Sequence, residues 1–258
     1  FRVGEGMFGD TSFGPLKGKT DELFSALFHR RFAEPERAYS ESTAFPADKL
    51  SAAHMAAKLA VSTIADVRNT MFMSGLTPFP RTHWSVLGPA MKRQAAIHAQ
   101  VAGHRPAGPF KHYWGEAARY VGDDNPYSLF LACGVPFEVI DRPVPDGWTF
   151  LCDADARSSL DTGRGVVVAR PEAAGGAMRA VPETVEALLA LKREVVPQLG
   201  DIPYVGEDKP VTCAWYPTAR CAMLWNLSDT RESLAVQRGQ ARREVVVEAL
   251  DAVLVEGV

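Results

Sequence analysis

Apolar and polar positions along residues 1–105 predict short strands separated by helices. The expected order is a helix from Thr20 to Pro35, a strand at 37–43, a helix at 48–64, a strand at 67–73 and a helix at 84–102. Thr20 is the expected N-cap of the first helix, and Asp48 lies near the N-terminus of the second. Strand–loop–helix alternation with this spacing is typical of a parallel α/β sheet or barrel.

Residues 106–207 carry the pattern of a smaller α/β unit. The pattern predicts strands at 110–114, 135–140, 149–152 and 165–169, and helices at 125–133 and 182–196. Gly134 follows the first of these helices, at the position where a left-handed backbone is common. We therefore expect an open, Rossmann-like α/β domain.

The last segment, 208–258, consists of short β-rich runs separated by turn residues. The runs are expected at 211–216, 221–227, 233–238, 244–247 and 252–255. Pro217-Thr218 and Arg238-Gly239-Gln240 mark two of the turns. The chain is thus predicted to form three units, 1–105, 106–207 and 208–258, the last being a small antiparallel β-domain.

Charge and cysteine content narrow the classes of function. The net charge of −3, from 31 acidic and 28 basic residues, argues against a general nucleic-acid-binding protein. No apolar run approaches the roughly 20 residues that cross a bilayer, so no membrane partner is expected. The four cysteines lack the spacing of a zinc site, which favours a reduced, cytoplasmic protein. The glycines at 163–165 and 175–176 form no phosphate-binding motif, and neither a cofactor nor a metal is expected.

Glu41 is the main catalytic candidate. If residues 37–42 form a parallel strand, Glu41 lies at its C-terminal end, where the active sites of (β/α) barrels are built. A carboxylate there can act as a nucleophile or as a general base. Hydroxyl-bearing neighbours, with Tyr39 two positions upstream, favour a site for a polar ligand. The alternative interpretation, a solvated loop glutamate, stays open.

Trp84, His83 and Asn69 are candidate ligand-binding residues because they lie in or after the second predicted strand. The Trp84 indole can stack on the face of a sugar ring, and His83 can hydrogen-bond a hydroxyl group. It is equally open that Trp84 is a hydrophobic staple at the start of the following helix. Asn69 is polar inside a predicted strand, which indicates a pore-facing residue or a sheet edge. The run from His112 to Glu116 is interpreted as a strand end that packs its aromatic side chains against the first unit.

Several segments resemble, in order, parts of known glycosidases. They are Ala38-Tyr39-Ser40-Glu41-Ser42, Ala65–Phe72, Trp84–Gly103, Asn125–Ile140 and Trp225–Asp229. Their order is similar to that in the C-terminal half of the β-galactosidases of glycoside hydrolase family 42, and the resemblance covers most of the chain. It implies the last strands of a (β/α)8 barrel in the first unit and an amidotransferase-like trimerisation domain in the second. The third unit then corresponds to the family's small β-domain.

The resemblance also implies a function. Glu41 matches the nucleophilic glutamate at the end of the seventh barrel strand, so the expected reaction is retaining hydrolysis of a glycoside or oligosaccharide. The residues expected to line the sugar site are Tyr39, Asn69, His83 and Trp84. The α/β domain is expected to join copies of the chain into a homo-oligomer.

One part of the family's pattern has no match. The acid/base glutamate of the family lies on the fourth strand, and no Asn-Glu pair precedes Glu41. Retaining hydrolysis requires two carboxyl groups about 5 to 5.5 Å apart. Either the N-terminal part of the barrel is missing from the sequence, or Glu5 or Asp10 takes the acid/base role, or the protein is not catalytic. The first is favoured, because isolated barrel strands have unpaired edges and because the chain starts at Phe1 without an initiator methionine.

Two other functions compete with a glycosidase. A non-catalytic carbohydrate-binding or assembly protein, built on the second and third units, needs no acid/base residue. A glutamine-amidotransferase-like enzyme needs a cysteine on a tight strand-to-helix turn and a histidine partner. Cys152 follows a predicted strand, but no histidine occurs after His112, so this alternative ranks last.

Overall fold

The computed structural model describes residues 2–3, 15–43, 50–73, 78–122, 127–158 and 165–258. The first unit alternates short strands with helices. Its elements are β1 Arg2–Val3, α1 Pro15–His29, β2 Tyr39–Ser40, β3 Ser42–Thr43, α2 Ala52–Ile64, β4 Phe72–Met73 and α3 Trp84–Val101. β1 pairs with β2, and β3 pairs with β4, both in parallel. The expected strand–helix alternation is therefore present in this unit.

Helix α1 begins at Pro15 and not at Thr20. Proline is compatible with the first turn of a helix, where its missing N–H is not needed. Thr20 is not the N-cap but lies inside the helix, and its Oγ1 donates to the Lys17 carbonyl at 3.0 Å. The helix ends at His29, and a separate 3-10 helix occupies Pro35–Arg37, so the following strand starts later than expected.

Helix α2 begins at Ala52, later than the expected position near residue 48. Ser51 caps it, because the Ser51 Oγ accepts the backbone N–H of His54 at 3.2 Å. Asp48, expected near this N-terminus, lies outside the described residues. Helix α2 packs against both α1 and α3, and its many alanines allow a close approach.

Consecutive strands of the first unit are neighbours in space. β2 lies between β1 and the segment leading into β4, because Tyr39 also forms a parallel bridge with Asn69. The helices touch in the same order, α1 against α2 and α2 against α3. Leu23 and Phe28 of α1 and Ala38 before β2 belong to the same buried hydrophobic cluster.

The second unit is the expected open parallel sheet. Its elements are β5 Phe110–Tyr113, α4 Glu116–Val121, β6 Phe137–Ile140, β7 Trp148–Phe150, α5 Asp153–Ala156, β8 Val166–Ala169, β9 Arg179–Ala180 and α6 Val185–Val195. The strands lie in the order β6-β5-β7-β8-β9, and every pairing is parallel. The chain passes from β5 to β6 on one side of β5 and then continues with β7 on the other side. The gap between β5 and β7 is therefore a topological switch point of the sheet.

One helix of this unit differs in type from the expectation. In place of the α-helix expected at 125–133, the described residues from 127 onward have a short 3-10 helix at Ser128–Ala132, and residues 125 and 126 lie outside the described ranges. All residues of this 3-10 helix are buried. Its sequence therefore has no periodic pattern of apolar and polar positions that distinguishes a 3-10 helix from an α-helix. Gly134 has a φ of +73°, which confirms the expected left-handed backbone. The short elements α4 and β9 have no counterpart among the predicted elements.

The third unit consists of two antiparallel sheets packed face to face. Its strands are β10 Tyr204–Val205, β11 Val211–Tyr216, β12 Cys221–Asn226, β13 Glu232–Arg238, β14 Ala241–Val247 and β15 Ala252–Glu256. One sheet has the order β10-β13-β14 and the other β11-β12-β15. Val211, Leu224 and Val236 are buried between them. The expected antiparallel strands are confirmed, and β10 pairs with β13 in the same sense.

Across the described ranges, every helix is too short or too polar to span a lipid bilayer.

Candidate functional site

Glu41 lies between β2 and β3 in one continuous extended segment. Tyr39 is opposite Asn69, and Ser42 is opposite Phe72. The register is the same on both sides of Glu41, so β2 and β3 continue a single strand. Because β1 pairs with the other edge of β2, this strand has parallel neighbours on both sides. Glu41 is thus the central residue of the described strand segment 39–43, two residues before its last described residue. Its predicted position at the C-terminal end of the strand stays a prediction, because residues 44–49 lie outside the described ranges.

Ser40 fixes the position of the segment that carries Glu41. Its backbone N–H donates to the Asn69 carbonyl at 2.9 Å. Its Oγ accepts the Met71 N–H at 2.9 Å and lies 3.3 Å from the Met71 carbonyl, to which it donates. The buried Ser40 hydroxyl thereby takes the place of a backbone hydrogen-bonding group between the two strands beside Glu41. The sequence gives only a weak signal for this role, a serine directly before the candidate carboxylate.

Tyr39 and Glu41 share a face of the strand. Ala38 and Ser40 are buried, whereas Tyr39 is 40% exposed and Glu41 is half-buried. Since alternate residues of a strand point to opposite faces, Tyr39 and Glu41 point to the face opposite to Ala38 and Ser40. This face therefore carries a phenol and a carboxylate, of which the phenol is the more exposed.

Asn69 has a positioning role in the structure. Its Nδ2 donates to the Glu36 carbonyl at 3.2 Å and to the Ala38 carbonyl at 3.0 Å. Both amide hydrogens are therefore used on the backbone that leads into β2. Asn69 holds the strand of Glu41 in place, and these two donors are not available to a sugar hydroxyl.

Trp84 and His83 belong to an aromatic group that follows β4. The ring of Phe79 lies 5.4 Å from the Trp84 ring, 6.1 Å from the His83 ring and 6.5 Å from the Phe72 ring. Trp84 stays 50% exposed, so part of the indole is available to a ligand. His83 Nε2 is 3.3 Å from the Leu50 carbonyl. Sequence reasoning missed Phe79, whose only signal is its position between two prolines.

The predicted site residues therefore form two groups. Tyr39, Glu41 and Asn69 lie on adjacent parallel strands, and His83 and Trp84 lie around Phe79. Phe72 pairs with Ser42, the residue after Glu41, and its ring packs near Phe79 and against Met55 of α2 and Leu87 of α3. Because neighbouring positions of a strand point to opposite faces, Phe72 and Glu41 lie on opposite faces of these strands. The structure therefore does not bring the two groups together on one face.

The switch point of the second unit is filled by the protein's own side chains. Buried Asp155 accepts the Gly115 N–H at 2.7 Å and the Ala118 N–H at 3.2 Å. A Cβ atom at Gly115 would come within 2.4 Å of the Tyr113 ring. Burial raises the pKa of Asp155, and the backbone donors act against that rise. Asp155 thus caps α4 at the place where open α/β sheets commonly bind ligands.

Cys152 lies at the same edge of the sheet and is fully buried. Its Sγ is 4.0 Å from the Tyr113 carbonyl. Asp153, next to it, pairs with Arg170 through two hydrogen bonds of 2.8 and 2.7 Å. This geometry gives Cys152 the surroundings of a packed core residue and lends no support to an amidotransferase-like nucleophile.

Within the ranges that the structure describes, no group of three or more His, Cys, Asp and Glu side chains is arranged to hold a metal ion. The residues at the candidate site are instead a carboxylate, a phenol and aromatic rings. No protein-family model matches the chain, and no curated protein matches it.

Proposed function

We propose that the chain carries the nucleophile-bearing part of a retaining, β-galactosidase-like glycoside hydrolase. The single observation that supports this most is the position of Glu41. It lies in a strand with parallel neighbours on both sides, on the face opposite to the buried Ala38 and Ser40. In (β/α)8 barrels catalytic side chains are found at the C-terminal ends of such strands.

We further propose that the first unit is part of such a barrel. Sequential strands are neighbours and the helices pack against one another in sequence, as in a barrel. The second unit has the order β6-β5-β7-β8-β9, which is that of an open sheet. In this proposal the described strands of the first unit supply only part of an eight-stranded barrel.

In this proposal Glu41 attacks the anomeric carbon of the glycoside. A second carboxylic acid protonates the departing glycosidic oxygen, and a covalent glycosyl–enzyme ester forms on Glu41. Water then attacks the same carbon, with the second carboxylate as base, and Glu41 leaves as a carboxylate. Tyr39 lies beside the nucleophile, and the exposed part of Trp84 packs on a sugar face. Asn69 and Ser40 keep the strand of Glu41 in register.

A Glu41→Gln variant of the intact protein tests the proposal. The amide keeps the shape of the side chain but removes the nucleophile, so turnover of an aryl β-galactoside should fall by about a thousandfold or more. Glu36→Gln is the matched control, since Glu36 lies five residues upstream on the same segment and is exposed. Near-normal turnover in Glu41→Gln excludes Glu41 as the nucleophile.

A further inference from the structure

A cavity of about 240 Å³ lies at the opposite end of the first unit from Glu41. Its wall includes Arg30, Arg31, Glu34, Asp66 and Arg105. Arg30 and Asp66 follow the C-terminal ends of α1 and α2. A second, smaller cavity adjoins it, and the same three arginines line both. Three guanidinium groups therefore converge on one place in the fold.

Two of these arginines are held by carboxylates. Arg30 donates to the Asp66 Oδ2 at 3.1 Å, to the Asp66 carbonyl at 2.9 Å and to the Ala33 carbonyl. Arg31 binds Asp141 through Nε at 2.7 Å and through its second terminal nitrogen at 2.6 Å, and it donates to the Val139 carbonyl at 2.8 Å. Each arginine uses one N–H per nitrogen. Since a guanidinium has five N–H groups, two remain on each.

The carboxylate of Asp66 is already bound by other groups and does not pair with the third arginine, Arg105. It accepts hydrogen bonds from His98 Nε2 at 2.8 Å and from the Gly103 N–H at 3.2 Å, and Arg68 lies 3.4 Å away. Burial acts to raise the pKa of Asp66, but the hydrogen bonds from His98, Arg30 and Gly103 lower it to about 2. Its single negative charge is thus shared by several cations.

Arg105 is the third of the converging arginines. None of the described carboxylates lies within ion-pair distance of its guanidinium. Burial and the nearby charges of Arg31 and Arg30 lower its pKa, although Asp141 and Asp66 act in the opposite sense. A negatively charged ligand in the cavity would relieve this repulsion, and arginines are well suited to phosphate because their N–H groups match its oxygens.

We propose that this cavity binds a phosphate group, either inorganic phosphate or a small phosphate ester, with Arg105 as its main ligand. The free N–H groups of Arg30 and Arg31 supply further donors. Glu34 is exposed at the same wall and acts against anion binding. The site is separate from Glu41 and does not depend on glycosidase activity.

Calorimetric titration of the intact protein with inorganic phosphate and, in parallel, glycerol phosphate tests the site, with chloride keeping the ionic strength constant. We expect saturable binding, at least about tenfold weaker in Arg105→Gln, because a hydrogen bond to a charged group is lost. Glu34→Gln should bind more tightly than the parent. Tighter binding of one of the two ligands shows whether free phosphate or an ester is the preferred form.

Arg142→Gln is the control, because Arg142 is exposed, lines neither cavity and removes the same charge. It should bind phosphate like the parent. Absence of binding to the parent, unchanged binding in Arg105→Gln, or an equal loss in Arg142→Gln overturns the proposal. Thermal unfolding of Arg105→Gln without ligand checks that the substitution leaves the fold intact.

Discussion

His112 and Trp114 of the second unit have roles that are set by their packing and not by the sequence alone. His112 is fully buried, and its ring stacks on Phe150 with centroids 5.0 Å apart. Neither ring nitrogen has a hydrogen-bond partner. Trp114 packs against Phe28 of α1, with ring centroids 4.6 Å apart. This confirms the interpretation of the strand end as an aromatic contact with the first unit.

The buried ring of His112 predicts a loss of stability in acid. Burial lowers the pKa of His112 from 6.5 to about 3, because the charged ring loses its hydration. As the pH falls below 6.5 the unfolded chain takes up this proton first. The contribution of His112 to the free energy of unfolding is therefore fully present above pH 6.5. Between pH 6.5 and about pH 3 this contribution is lost, and the free energy of unfolding decreases by at most about 1.4 kcal/mol per pH unit.

His112→Phe should remove this part of the pH dependence, because phenylalanine fills the same space without a titrating group. Urea unfolding at several pH values between 7 and 4 measures the slope. The same slope in the variant and the parent contradicts the assignment.

At the scale of elements, a buried ion pair joins α1 to α2. The Lys58 Nζ lies 2.7 Å from the Glu22 Oε2, and both side chains are fully buried. The second Glu22 oxygen, Oε1, has no hydrogen-bond partner. Burying two charges costs hydration energy that close pairing offsets. Loss of one partner leaves the other charge unpaired between the helices.

Lys58→Met should lower the free energy of unfolding by about 3–5 kcal/mol, because it leaves the Glu22 carboxylate buried without its cation. Lys209→Met is the matched control. Lys209 pairs with Glu232 at 2.9 Å but is exposed, so its loss should cost less than about 1 kcal/mol. Urea unfolding followed by circular dichroism measures both. Equal losses in the two variants contradict a special role for the buried pair.

Helices and strands with a clear local pattern of apolar, polar and turn residues could be predicted from the sequence. Those whose bounds depend on tertiary contacts could not. Strand β11 coincides with the predicted 211–216, because a strand bounded by turn residues is a local signal. The start of α1 at Pro15 depends on contacts far along the chain, such as Lys17 Nζ to the Ser128 Oγ at 3.1 Å. The 3-10 helix after residue 127 is buried all round, so no amphipathic pattern marks its type.

The candidate site was predictable only in part. Glu41 stands out because a carboxylate at a strand end is visible in the sequence. The roles of Ser40 and Asn69 are not visible there, because they depend on which backbone groups of the neighbouring strand come opposite them. The convergence of Arg30, Arg31 and Arg105 likewise requires the fold, since Arg105 is far from the other two in the chain.

At the scale of the whole molecule, one hydrophobic core connects the three units. Phe24 of α1, Phe137 of the parallel sheet and Trp225 of β12 belong to the same buried cluster. The Tyr216 hydroxyl of β11 donates to the Ile64 carbonyl at the end of α2 at 3.3 Å. The first unit, which carries Glu41, is therefore joined to the other two units by buried apolar contacts.

Covalent trapping tests the central claim most directly. The intact protein is incubated with a 2-deoxy-2-fluoro-β-galactoside that has a good leaving group, digested with protease and analysed by peptide mass spectrometry. The fluorine slows hydrolysis of a glycosyl–enzyme ester, so a retaining mechanism predicts a stable adduct on Glu41. An adduct on another carboxylate, or turnover of the parent glycoside without any adduct, contradicts the account.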